Sequence, residues 1–492
     1  MSLVSSSSFK LSLSQEQVRN FPIRPIIGLI ATISGTLLAV LLIPENPYPE
    51  GALILAALAM TCGLIAAPLL AAFRKPRSIV RAECLLAIAP VYWLLMDLLQ
   101  GAYPLEGVSE DGIKGAFWMI GLFVCGVWGA AITHPWRPPA IVARAASYSI
   151  EPKTLFRLIL IFFLMGIMRF AYPADFNPIV MLNGLTGNRW SAPWSRGQLG
   201  GWDAFLDHMS YFGYLLPTLT VLLAQKTKWL DRRVLVSAGL SLLITAFLAQ
   251  GGGRRIIGVV IGSAIICWVL QQKKINVRKL VVVLLSTAML LLTMQLMLEY
   301  RNEGWGAALR DEERQLQYQY LHVDDNFLRL SQIIDLVPNQ HPYIYEKQIV
   351  FALVRPIPRV LWEGKPTNPR FDLALTLDMD GVSLSSSVIG EFYLSSGWLG
   401  VLLGGLFYGK VAQMFSVLLS HEQERSSALV YSLAAMSLFA GMRSMLDLIL
   451  MSYALLAWIL VSRLILGKPF ARRDRLTRLP IAPGGSGSNL VS

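Results

Sequence analysis

Charge is scarce in this chain: Asp, Glu, Lys and Arg together make up 15% of 492 residues, where a soluble domain carries about 25%. With 54% hydrophobic residues and a mean hydropathy of +0.52, that shortage excludes an ordinary soluble domain and points to a polytopic membrane protein. Cysteine is equally sparse. The four present (Cys62, Cys84, Cys125, Cys267) stand singly inside apolar runs, without the paired spacing of a metal site or redox motif. Strict alternation of apolar and polar residues is also missing, which excludes a β-barrel.

What the chain has is long apolar stretches, each near the roughly 20 residues that a helix needs to cross a bilayer. Twelve candidate spans are predicted at 23–43, 51–72, 80–100, 113–133, 154–171, 208–225, 234–250, 255–270, 279–299, 393–419, 427–442 and 445–464. The expected fold is an all-α polytopic membrane protein. Its divisions are an N-terminal tail 1–22, helices 1–9 over 23–299, a large helical loop 300–390, helices 10–12 over 391–465 and a basic tail 466–492. The first apolar run lacks a cleavage site and reads as an uncleaved signal anchor.

Lys and Arg accumulate in cytoplasmic loops. Alternate loops hold Arg74, Lys75, Arg77 and Arg81, then Arg137, Arg144 and Lys153, then Lys226, Lys228, Arg232 and Arg233, then Lys273, Lys274, Arg278 and Lys279. The loops between them carry Glu45, Glu50, Glu106, Glu110 and Asp111, so both termini are expected inside. Cytoplasmic loops against anionic lipid account for much of the net charge of +12, and no nucleic acid is needed to explain it.

The external loop 300–390 contains Trp305, Tyr318, Phe327, Tyr343 and Trp362, and its Asn326–Val337 stretch has apolar residues at helical spacing. A small folded cap of amphipathic helices is therefore expected. Its cations include Arg301, Arg329, Arg355, Arg359 and Lys365; Arg310 and Arg314 stand among Asp311, Glu312 and Glu313 and read as ordinary surface pairs.

Arg254 and Arg255 differ. They follow Gly251-Gly252-Gly253 on the external side, at the start of a predicted helix, and have no carboxylate next to them in sequence. A helix N-terminus disfavours cations and favours anions. Two arginines there suit a multivalent anion such as a pyrophosphate, bound through forked hydrogen bonds; the alternative is a glycine turn with arginines snorkelling to lipid headgroups. In the segment 353–369, Pro356, Pro358, Pro366 and Pro369 stiffen the backbone that carries Arg355, Arg359 and Lys365, and Trp362 offers a face for sugar or acyl stacking. Glu391 lies where the next span begins. An ionisable group at that depth is functional by default, or else caps its own helix or pairs with Arg443.

The Gly-Gly-Gly-Arg-Arg turn, the Pro358-Arg359…Trp362…Lys365-Pro366 segment and the Gly390-Glu391…Gly397…Gly400 helix start resemble the Wzy-type O-antigen and exopolysaccharide repeat-unit polymerases over roughly 208–465. The resemblance implies a GT-C-like glycosyltransferase of the bacterial inner membrane, with its site facing the periplasm. It would need neither metal nor cofactor. The donor and acceptor implied are undecaprenyl-diphosphate-linked glycans, and a polysaccharide copolymerase that sets chain length is the implied protein partner. Asp378-Met-Asp380 has the spacing of a nucleotide-sugar motif only by appearance, because it lies in the external loop.

In that chemistry Arg254 and Arg255 are expected to stabilise the leaving diphosphate, with Arg301, Arg359 and Lys365 holding the same group or the acceptor's. Arg443, near Asp447, either completes the clamp or forms a structural pair. Glu391 is the first choice as base, ahead of Glu299, Asp324, His322 and His341. Two rivals remain: an O-antigen ligase of the same superfamily, and a transporter that flips lipid-linked oligosaccharide. Against the transporter, the halves of the chain show no repeat.

Overall fold

The computed structural model describes residues 21–465, apart from 103–104, 196–201, 251–252, 273, 301–303, 305–319, 356, 358–360, 363, 367–370, 380–383 and 421–425. Among the described residues there are helices and no strand. Nine helices among the described residues are long and apolar enough to cross a membrane. They are α2 (Ile54–Arg74), α3 (Ala82–Leu99), α4 (Glu110–Ile132), α6 (Pro152–Ala171), α10 (Arg232–Gln250), α11 (Arg254–Gln271), α12 (Val277–Tyr300), α15 (Ser387–Ser416) and α17 (Met445–Ile465), and the short helices α5 (Ala140–Ala146), α7 (Pro178–Thr186) and α14 (Lys347–Val354) lie between them. Two shorter apolar helices, α1 (Pro25–Leu41) and α16 (Ser427–Ala440), fall at predicted spans.

The predicted span 208–225 is divided between α8 (Trp202–Gly213) and α9 (Leu216–Lys226). Pro217 supplies the cause: its ring would collide with the carbonyl of residue 213 in a continuous helix and it has no N–H to donate. In α3 the break is milder, a single π turn at Val91–Leu95 that follows Pro90. Ser109 starts α4 by accepting a hydrogen bond from the Gly112 N–H, with Glu110 and Asp111 complementing the helix dipole.

Helix α15 begins earlier than expected and turns back on itself. Ser396 and Gly397 leave helical geometry, and Gly397 has φ 63°, a conformation that glycine adopts without strain. After the turn, a Cβ on Gly404 would run into the Phe392 ring, although twelve residues of straight helix would separate the two by about 18 Å.

Loops that the charge count puts on one side do gather at one end of the bundle. Leu105 N donates to the Tyr48 carbonyl at 3.0 Å, Ser109 N to Asp335 at 2.7 Å and Gln100 to the Leu321 carbonyl at 3.1 Å. At the other end Arg81 reaches the Phe21 carbonyl at 2.8 Å and Lys226 the Ile150 carbonyl at 3.0 Å.

The cap has a small apolar core of its own, including Ile333, Val337, Ile344, Phe371 and Leu394. Its helix α13 (Asn326–Leu336) nevertheless does not lie on the bundle as an amphipathic surface helix. Phe327, Leu330 and Ile333 are all 0% exposed, and Asn326 donates to the Trp93 carbonyl at 3.1 Å. The polar side of this helix is covered as well: Arg329 is buried, paired with Asp325 and hydrogen-bonded to Gln332. Arg301, Arg310, Arg314 and Arg359 lie outside the described residues, as do 1–20 and the tail 466–492.

Candidate functional site

Arg254 and Arg255 open α11 directly after Gly253, and their side chains diverge. Arg254 donates to the carbonyls of His322 at 2.7 Å and Val323 at 3.0 Å. The same stretch is gripped from its other side by Asp97 of α3, which accepts from Val323 N at 3.1 Å and Asp324 N at 3.3 Å. A carboxylate inside an apolar helix thus satisfies two backbone donors of a buried loop that no regular structure would satisfy. His322 Nδ1 is 3.8 Å from Asp97.

Arg255 turns toward α17 and lies 2.8 Å from Asp447 Oδ1. The other oxygen of Asp447 accepts from Arg443 at 3.1 Å, and Arg443 also donates to Asp324 at 2.8 Å. The chain Arg255–Asp447–Arg443–Asp324 links α11, the start of α17, the turn before it and the cap. Asp447 is 0% exposed, whereas the side chains of Arg255 and Arg443 keep 36% and 26% of their surface open. Although Asp447 Oδ1 is close to Arg255, it receives no hydrogen bond of good geometry, so Arg255 is the less tightly tied of its two partners. Burial alone would depress the pKa of Arg443; Asp324 and Asp447 more than reverse this and hold it above its ordinary value. Arg443 therefore stays cationic.

The cluster is recessed. The fourteen-residue helix α16 is about 21 Å long, too short to cross beside its neighbours, and the turn carrying Arg443 follows it. Tyr408, about 16 Å along α15 from its bend at Gly397, reaches the Gly441 carbonyl of that turn at 3.4 Å.

Glu391 sits behind the arginines. It is 4% exposed, with one oxygen accepting from Gln348 at 2.8 Å and the other from Met445 N at 2.6 Å. Met445 is the first residue of α17, so Glu391 caps that helix from another helix and complements its dipole. The sequence leads one to expect a cap on Glu391's own helix, whereas the helix capped is α17; with both oxygens occupied, the carboxylate has little access to substrate. Lys365 needs a correction: its ammonium is buried and donates to the Arg355 and Ile357 carbonyls at 2.7 and 2.8 Å, pinning the proline-rich segment rather than standing open as a clamp. Trp362 is 41% exposed, and Arg355 lies over the Phe351 ring at 5.7 Å.

The structure thus brings together Arg254, Arg255, Arg443 and Glu391, holds Lys365 within its own loop, and adds Asp97 and Gln348, which the sequence reading missed. Asp97 carried a usable signal, an ionisable residue within an apolar span. Among the described residues no group of three or more His, Cys, Asp or Glu is arranged to hold a metal ion.

Comparison with curated proteins and with solved structures finds no match. A family model described as a domain of unknown function, DUF8712, matches residues 200–446. That half of the chain holds Arg254, Arg255, Asp324, Glu391 and Arg443. The chain belongs to the DUF8712 family.

Proposed function

We propose that this protein is a GT-C-type, metal-independent glycosyltransferase that polymerises undecaprenyl-diphosphate-linked oligosaccharide repeat units at the periplasmic face of a bacterial inner membrane, in O-antigen or exopolysaccharide synthesis. The observation that carries the reading is the recessed arginine cluster, in which Arg255 and Arg443 share Asp447 and still keep open surface.

In the reaction an acceptor sugar hydroxyl bonds to the anomeric carbon of the donor glycan. The bond from that carbon to the diphosphate breaks, and the diphosphate leaves with the electron pair. Arg255 and Arg443 stabilise the charge that develops on it, an effect of about 3 kcal/mol for a well-placed donor in a partly dry site. The hydroxyl proton passes to a carboxylate. Asp324, bonded to Arg443 and 17% exposed, suits this role better than Glu391, whose oxygens are both occupied. Arg254 acts through the loop 322–324, which it holds beside the cluster.

Complementation tests the proposal. In a host deleted for this gene, the wild-type chain should restore long polysaccharide on a gel, and Arg255→Ala or Arg443→Ala should yield single repeat units at equal protein abundance. Full-length polymer from both variants would refute it. Attachment of preassembled polymer to a lipid core, with no change in chain length, would point to a ligase.

A further inference from the structure

A cavity of about 280 Å³ opens beside the arginine cluster between α6, α8, α10 and the loop 187–195. Arg169, Arg189, Trp190, Trp194, Tyr214 and Gln250 are among its walls. Its frame is firmly built. Trp194 is 5% exposed and donates from its indole to Gln250 at 2.9 Å. Arg169 pairs with Asp207 and donates to the Trp194 carbonyl at 2.9 Å.

Arg189 is different. Its guanidinium stacks over the Trp190 ring, 4.3 Å from the centroid, and its Nε is buried without a hydrogen-bond partner. Partial burial lowers its pKa, and among the described residues no carboxylate pairs with it. A guanidinium half-covered by an indole and carrying a buried, unsatisfied N–H gains from an anion that a ligand brings. Trp190 is 57% exposed, so a flat apolar surface stands open next to that charge.

We infer that this cavity binds an acidic sugar residue, with its ring against the indole of Trp190 and its carboxylate on Arg189. A bare phosphate would use the guanidinium and leave the aromatic wall idle; a neutral sugar would use the wall and leave the guanidinium unpaired. The volume is near the lower bound of about 300 Å³ for small-molecule sites, which suits one or two sugar rings. Ile256, the neighbour of Arg255, is part of the same wall, so a glycan whose diphosphate lies at Arg255 reaches the cavity with its first sugars. The inference rests on the proposed function for the identity of its natural occupant, and narrows the substrate to repeat units that contain a uronic or similarly carboxylated sugar.

Calorimetric titration of the full chain in detergent tests this, using a uronic-acid trisaccharide and the neutral trisaccharide made from it by carboxyl reduction. The acidic form should bind saturably and at least about tenfold more tightly than the reduced one. Arg189→Gln should erase that difference, Arg189→Lys should keep part of it, and Trp190→Leu should weaken both ligands. Arg255→Ala should leave the titration unchanged while abolishing transfer, so the cavity and the reaction fail separately. Equal affinity for the two trisaccharides, or no binding by protein that is folded by its thermal melt, would overturn the inference. So would Arg189-dependent binding of phosphatidylglycerol vesicles in the absence of trisaccharide binding, which would assign the cavity to a lipid headgroup.

Discussion

Arg255 and Asp447, 2.8 Å apart and almost two hundred residues apart in sequence, join the start of one membrane helix to the start of another. The carboxylate is wholly buried and shared with Arg443, while the Arg255 side chain is 36% exposed. That asymmetry separates stability from activity. Asp447→Ala leaves two arginines without their buried anion and should destabilise the protein by about 3 kcal/mol, read as a lower melting temperature in detergent. Arg255→Ala should cost about 1 kcal/mol or less because its charge is partly solvated, yet should abolish polymer formation.

Arg254 grips two backbone carbonyls of the cap, so its loss should show first as motion. Arg254→Ala should raise amide exchange over residues 321–325 while exchange in α4 and α15 stays at wild-type levels. Unchanged protection in that loop would mean that Asp97 holds it alone.

Glu391 accepts a hydrogen bond from the first amide of α17, and Gln keeps an acceptor of the same size. Glu391→Gln should therefore retain polymer formation within a few-fold, whereas Glu391→Ala, which strips the cap and leaves Gln348 unpaired, should cost about 2 kcal/mol. A folded but inactive Glu391→Gln protein would return the role of base to this residue.

Gly397 combines a φ of 63° with a tyrosine hydroxyl 2.8 Å from where its Cβ would be. Gly397→Ala should destabilise by about 2 kcal/mol through strain and crowding at the bend of α15. A melting temperature equal to wild type would show that this bend is not required.

Much of the architecture was legible because hydropathy and loop charge follow directly from the cost of burying backbone and charge in lipid. Ten of the twelve predicted spans coincide with single apolar helices long or short, α15 starts early, and only 208–225 divides in two. Pro217, a signal that the expectation of a continuous span overlooks, causes that break. Asn326–Leu336 was legible as a helix from its periodicity, but periodicity cannot show that a polar face is also covered, as that of Arg329 is. The arginine turn stood out because its charges defy the side that the loop-charge count assigns to it. Its partners did not, because the His322 and Val323 carbonyls and Asp447 come from distant segments, and only folding decides that Asp447 meets both Arg255 and Arg443. Glu391 and Lys365 show the same limit in reverse: each was noticed for its charge, and each spends that charge on backbone groups that sequence spacing does not reveal.

The most direct measurement is to incubate purified, detergent-solubilised protein with undecaprenyl-diphosphate-linked repeat units from its own host, without added metal or nucleotide sugar, and to resolve the products on a gel. A ladder that wild type forms and Arg255→Ala does not is the expected result. Unchanged substrate from a wild-type sample with a cooperative thermal melt would contradict the assignment of this cluster to glycan transfer.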